Sequence, residues 1–245
     1  MKTPQPQAHQ RSASNSAAVD TKDERCVAVL SIWNDVDPEI EHEYEAWYQR
    51  DHLRDRVGTP GFKSCRRYER ILGDGRRYFT FSDLESVDVI KADAYAERLR
   101  NPTEWTRRIM PHFRNLIRVV ADVNIDRGDG TGGYAATALY EAPETHLRAS
   151  TRAAIDAAID HVMADPRITR ARVFESNAGT NNLPNPEAAL RPDPQQSTGL
   201  AIVIEGSCQS SVCRHLEGLR QLPELAALAP AMPASVYRLL FSSRS

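Results

Sequence analysis

Short apolar runs alternate with amphipathic stretches along most of the chain, and their spacing predicts the elements. Residues 26–33 form an apolar run bounded by Asn34-Asp35, the mark of a buried strand. Asp37-Pro38-Glu39 then starts a helix, with Asp37 as N-cap and Pro38 at the first helical position. That helix runs to about Arg56 and stops before Gly58 and Pro60. Residues 63–72 and 76–84 read as strands flanking Gly73-Asp74-Gly75, a turn that needs positive φ. A helical region over 87–99 is interrupted by Asn101-Pro102, and a second short helix reaches Met110. Residues 113–125 close the unit as a strand, with Ile117, Val119, Ala121, Val123 and Ile125 alternating on one face.

The order β-α-β-β-α-β then recurs beyond a glycine-rich joint at 127–133. Strands are expected at 134–140, 168–175, 198–205 and 234–241, with helices at 144–163 and about 211–228. Individual residues align as well. Arg66-Arg67-Tyr68-Glu69 matches Arg172-Val173-Phe174-Glu175, and Arg118 matches Arg238. An internal duplication follows, with a tail at 1–24, one unit at 25–127 and a second at 128–245. The copies differ at Trp47, whose counterpart is Ala153 on an alanine-rich helix, and at the tight hairpin. The second unit replaces that hairpin with the Pro- and Asn-rich segment 177–197, which has no periodicity and is either functional or mobile.

Composition narrows the function classes. The chain has 245 residues, 41% hydrophobic and 26% charged, with a formal net charge of -2, which gives no general drive toward nucleic acid or anionic membranes. The only lysines are Lys2, Lys22, Lys63 and Lys91, so the basic charge is almost all arginine. Cys26, Cys65, Cys208 and Cys213 form no Cys-x-x-Cys pair and read as reduced thiols. No apolar run approaches the roughly 20 residues of a membrane span, and residues 1–20 lack the apolar core of a secretory signal. A disordered tail and a cytoplasmic protein are therefore expected.

The sharpest chemistry lies at the end of the first helix. On a wheel of about 3.6 residues per turn, Ile40, Tyr44, Trp47 and Tyr48 share an apolar stripe, Asp51 falls in its middle and His52 at its edge. A buried carboxylate must be paired. Asp51 and His52 are thus candidates for proton transfer, although neighbouring helical residues diverge by about 100° and would face a pocket from two angles. The competing reading is structural, with Asp51 paired to Arg54, Arg66 or Arg67 and His52 capping the helix. Trp33, Tyr44, Trp47, Tyr48 and Tyr68 are candidate lining for an aromatic ligand. Arg66 shares a strand face with Tyr68 as a candidate anion contact, and His112 is a candidate from the start of the last strand. Each of these also has an ordinary packing or surface reading. No metal-ligand spacing is present, and 128–133 lacks the Lys-Ser/Thr of a phosphate loop.

Trp47-Tyr48-x-x-Asp51-His52-Leu53, followed by Pro60-Gly61-Phe62 and Arg66-Arg67-Tyr68, resembles the EthD-like members of the dimeric α/β-barrel superfamily. The resemblance covers the first half well and the second only through strand order and scattered positions. It departs from the pattern where Leu53-Arg54 stands in place of a proline. It implies an α+β fold, two tandem ferredoxin-like βαββαβ units forming a dimeric α/β barrel within one chain, which associates further in the homodimer reading. It also implies a small-molecule pocket between sheet and helices. The superfamily includes cofactor-independent monooxygenases, cyclases, isomerases and haem proteins, so the resemblance leaves the reaction open. The expected function is cofactor-independent acid/base chemistry by His52 and Asp51 on an aromatic or polyketide-like molecule, of lyase, isomerase or cyclase type. The alternatives are a haem-binding or small-molecule-binding protein, with His52 or His112 as axial haem ligand, and a cofactor-free monooxygenase.

Overall fold

The structure, a computed structural model, describes residues 27–141, 148–176, 178–181, 183 and 185–245. The expected tail at 1–24 and Cys26 lie outside the described residues. The first half contains β1 (Ala28–Val36), α1 (Glu41–Trp47), α2 (Leu53–Val57), β2 (Phe62–Gly73), β3 (Tyr78–Leu84), α3 (Asp93–Arg100), α4 (Glu104–Ile109) and β4 (Phe113–Gly128). The second contains β5 (Tyr134–Tyr140), α5 (Ala149–Met163), β6 (Ile168–Ser176), α6 (Ala178–Asn181), β7 (Leu200–Gly206), α7 (Gln209–Arg220), α8 (Pro223–Ala226) and β8 (Pro230–Arg244).

The eight strands close into a barrel in the order β1-β3-β2-β8-β5-β7-β6-β4, all neighbours antiparallel. Four strands of each half are contiguous, and the halves are stitched by β2 to β8 and β4 to β6. Closure removes the open edges that would otherwise invite association. The Gly73 turn has φ +88°, and a Cβ there would lie 2.5 Å from the Ala234 carbonyl oxygen, so glycine is required by the close pass of β8.

Over the middle of the barrel most strands are buried on both faces. One face looks into the barrel, where Val29, Trp33, Tyr68, Phe79, Phe81 and Phe174 belong to one core. The other face meets the helices. In the first half that layer contains Leu30, Tyr44, Trp47, Tyr48, Cys65 and Tyr78. In the second it is aliphatic, with Ala136, Ala138, Ile155, Ile159, Ile202 and Ile204. The expected alternation along β4 holds for Ile117, Val119 and Ala121 in the barrel but not for Ile125, which packs with the second half's helices. A register shift between Val123 and Ile125 inserts one residue and turns the strand over.

Charge also fills the barrel. Arg66 on β2, Asp83 on β3, Arg172 on β6 and Glu205 on β7 form a closed ring of alternating sign. Arg66 contacts Asp83 at 2.8 Å, Asp83 contacts Arg172 at 2.6 Å, Arg172 contacts Glu205 at 2.5 Å and Glu205 returns to Arg66 at 3.6 Å. The Tyr68 hydroxyl donates to Glu205 at 2.6 Å and Ser64 to Asp83 at 2.7 Å. Burial alone would raise both carboxyls, but the two guanidiniums override it and hold each below its ordinary value. The ring takes two members from each half.

Candidate functional site

The first helix is interrupted between α1 and α2 by a π turn over Tyr48–His52, in which the Leu53 N–H reaches back to the Tyr48 carbonyl. A π turn carries one residue more than an α turn, so it sets later side chains back by about 100°. Asp51 and His52 thereby exchange the places that a regular helix would give them. His52 enters the middle of the apolar stripe and is buried, while Asp51 turns to the rim.

Asp51 does not contact His52. Its carboxylate accepts the Thr103 hydroxyl at 2.7 Å and lies 3.4 Å from that of Thr106, whose oxygen also accepts the Trp47 indole N–H at 3.1 Å. Asp51 therefore ties the π turn to the start of α4 and makes no hydrogen bond to His52, while both border a second cavity of about 80 Å³ with Thr103, Thr106 and Glu187. None of its expected partners, Arg54, Arg66 or Arg67, holds it either.

The His52 ring lies against Trp47 at 4.3 Å between centroids and meets Tyr48 edge-on at 5.1 Å. Neither ring nitrogen hydrogen-bonds to a described residue. Burial first, then the guanidiniums of Arg56 and Arg67, push the imidazole well below its ordinary pKa, so it is neutral at pH 7. Arg67 sits behind the stripe in a cage of Tyr44, Tyr48 and Tyr78, with its carbon centre 4.4, 3.9 and 4.4 Å from their centroids. Among the described residues none of its side-chain nitrogens has a hydrogen-bond partner, and the three rings face the cation instead.

His52 faces a cavity of about 30 Å³ between the first half's sheet and helices, room for water but not for an organic molecule as it stands. Tyr48, Thr80, Tyr95 and Phe113 line it together with Arg56 and Arg118. Its remaining wall comes from the other half. Asn185, Glu187 and Arg191 belong to the aperiodic segment between β6 and β7, which crosses onto β4. Asn181 pairs through its side chain with both backbone groups of Val120, at 2.9 and 2.7 Å. Gln196 bonds the Leu116 carbonyl and the Arg118 N–H, each at 2.9 Å. Arg56 then holds Glu187 at 2.7 Å, closing the segment over the cavity.

The other expected site residues are divided. Trp47 and Tyr48 pack on His52, and Tyr44 packs on both of them. Trp33, Arg66 and Tyr68 point into the barrel on the far side of the sheet and belong to its core and charge ring. Both strand faces are buried here, so alternation alone did not tell which one meets the helices. His112 does not line the cavity. It pairs with Asp37 at 3.0 Å, and Arg114 holds the same carboxylate at 2.6 Å. Asp37, Glu39 and His112 lie within mutual ligand reach, but these pairings already occupy Asp37. Arg56, Arg118, Glu187 and Arg191 were missed. Arg118 had a signal, as the one charge in the helix-facing row Leu116, Arg118, Val120.

A haem held by His52 would have to displace Trp47 and Tyr48, which pack against its ring. In the second half, His215 pairs with Asp165 at 3.1 Å and His161 is exposed, so neither enters the helix-facing core.

No family model matches the chain, and no curated protein matches it in sequence. Solved structures do resemble it. An anthrone oxidase-like protein is 12% identical with a TM-score of 0.61, covering 90% of this chain and 94% of its own. A protein provisionally named a monooxygenase, from Fusobacterium nucleatum, is 12% identical at 0.54, covering 90% and 95%. A variant of the chlorite dismutase from Candidatus Nitrospira defluvii is 11% identical at 0.51, covering 87% and 92%. At such identities the likeness concerns the fold alone, a closed barrel of eight antiparallel strands with helices packed outside it.

Proposed function

We propose that this chain is an EthD-like enzyme of two fused ferredoxin-like units, working without metal, nucleotide or haem on an aromatic or polyketide-like molecule. The unit at 25–127 carries the pocket, and the unit at 128–245 completes the barrel and roofs it. His52 is the proton acceptor and Asp51 a positioning residue that fixes the π turn. The observation that carries this reading is His52 itself, a buried neutral imidazole facing a cavity with no hydrogen bond to a described residue. Such a group accepts a proton from an acidic C–H or O–H at neutral pH. The imidazolium it becomes is disfavoured beside Arg56 and Arg67 until the substrate's own negative charge appears next to it. Proton gain and anion formation are thereby coupled. Return of the proton to another atom gives an isomerase, lyase or cyclase outcome.

A second reading is cofactor-free oxygenation, in which the same anion meets O2. It is favoured by the names of the similar structures, an anthrone oxidase-like protein and a monooxygenase. Anthrone separates the two, since its methylene proton is acidic and its anion consumes O2 to give anthraquinone and water. In anaerobic D2O the protein should speed methylene exchange by about 10²-fold or more over buffer, and His52→Asn should abolish the gain. Anthraquinone formation in air would favour the oxygenase reading. Equal rates for the native protein and His52→Asn, both folded, would discard His52 as the base.

A further inference from the structure

The cavity beside His52 has an excess of positive charge that the protein does not neutralise. Three guanidiniums line it, Arg56, Arg118 and Arg191, against one carboxylate, Glu187. Glu187 is held by Arg56 at 2.7 Å, and Arg56 also has Asp55 at 3.1 Å. Among the described residues Arg56 is therefore paired with carboxylates, whereas Arg118 and Arg191 have no ion pair of their own. Arg118 is only 4% exposed, yet among the described residues its side chain makes no hydrogen bond or ion pair. Arg191 has one bond through Nη2, to Gln195 at 3.3 Å, and its buried Nε has no partner. Burial and the facing charge of Arg118 disfavour its cation, and Glu187 only partly offsets them.

Two unneutralised guanidiniums beside one cavity are costly in an empty protein. They come from different halves. Arg118 is fixed on a central strand, whereas Arg191 arrives on the covering segment. The rest of the wall offers apolar and aromatic surface from Leu30, Tyr95, Phe113 and Leu116.

We infer that the site takes an aromatic anion whose charged oxygen sits between Arg118 and Arg191, with its ring against Phe113 and Tyr95. This rests on the reading of the cavity as the substrate pocket and names the class of substrate. Arg118 supplies a contact from β4 of the first half and Arg191 one from the covering segment of the second. A guanidinium matches a carboxylate or phenolate oxygen in both charge and geometry.

The test is binding of 2-naphthoate, of its neutral isostere 2-naphthamide and of 2,4-dinitrophenolate, by calorimetry at pH 7 on the full chain. At least one of the two anions should bind ten-fold or more tightly than the amide. Arg118→Met and Arg191→Met should each remove that preference while leaving amide affinity within about two-fold. Arg191 lies on the covering segment with a single hydrogen bond, so Arg191→Met keeps the test open should Arg118→Met not fold. Equal binding of amide and anions, no anion binding up to millimolar concentration, or an anion preference that survives Arg191→Met would overturn the inference. The readout is affinity and not turnover. Loss of the preference leaves the assignment of His52 standing, and loss of the His52 effect on exchange leaves the anion site standing.

Discussion

The charge ring inside the barrel makes the most exacting prediction. Glu205→Gln keeps the shape and still accepts from Tyr68, but leaves Asp83 as the one carboxylate of the ring facing Arg66 and Arg172. Breaking a buried pair on one side costs about 3–5 kcal/mol. For a chain of this size that is a fall in Tm of about 6–20 °C. Arg172→Met removes a positive charge of the same ring, and the double variant restores neutrality around the remaining Arg66–Asp83 contact of 2.8 Å. The double variant should therefore be about 1–3 kcal/mol more stable than the sum of the single losses. Acid supplies a second readout. Asp83 and Glu205 both titrate below their unfolded values, so the ring's contribution is whole above about pH 5 and is lost as pH falls through the folded values. Thermal and urea melts of the four proteins between pH 2 and 8 measure both effects. A Glu205→Gln loss below about 3 °C at pH 7, or strictly additive variants, would show that the ring is not a coupled unit.

Other expectations follow from single contacts. The His52 ring should stay neutral from pH 8 down to well below 6.5, seen as a flat imidazole proton shift. The unfolded imidazole protonates near 6.5, so stability should decline as pH drops below that value, and a titration midpoint at or above 6.5 would contradict its buried setting. Cys208, with its thiol lowered to about 7 by the Ser210 hydroxyl and the Ser211 N–H, should alkylate in a Cys26→Ser background with a rate midpoint near pH 7. Cys65, pushed up to about 11 by burial, should stay unmodified until unfolding, and a Cys208 midpoint near 9 would exclude the lowered thiol. Glu187→Gln removes the latch while Arg56 keeps Asp55 at 3.1 Å. Amide exchange at Ala188 and Arg191 should rise about ten-fold or more, beyond any rise in the barrel strands, and unchanged exchange would mean that other contacts hold the cover.

Much of the strand order was legible because two-residue alternation and Gly-rich turns are local signals, and Gly73-Asp74-Gly75 fixed its hairpin from three residues. What stayed hidden was relational. Arg66 and Tyr68 were correctly placed on one face of one strand, but that face looks into the barrel, and nothing in a doubly buried strand names its partner layer. The segment at 177–197 has no period because its side chains bond strand backbone and close a cavity in the other half, tasks that impose no repeat. The wheel misplaced Asp51 and His52 because it assumed 3.6 residues in every turn.

The π turn has a consequence for how related chains compare with this one. It amounts to one residue inserted into an α-helix, and its exposed members Gln49 and Arg50 are the spare positions. Deleting either would allow an unbroken helix and still present the imidazole to the cavity. The number of residues between the Trp-Tyr pair and the histidine is therefore free to differ by one among proteins with the same pocket, and an ungapped comparison would line up the wrong member of the Asp-His couple.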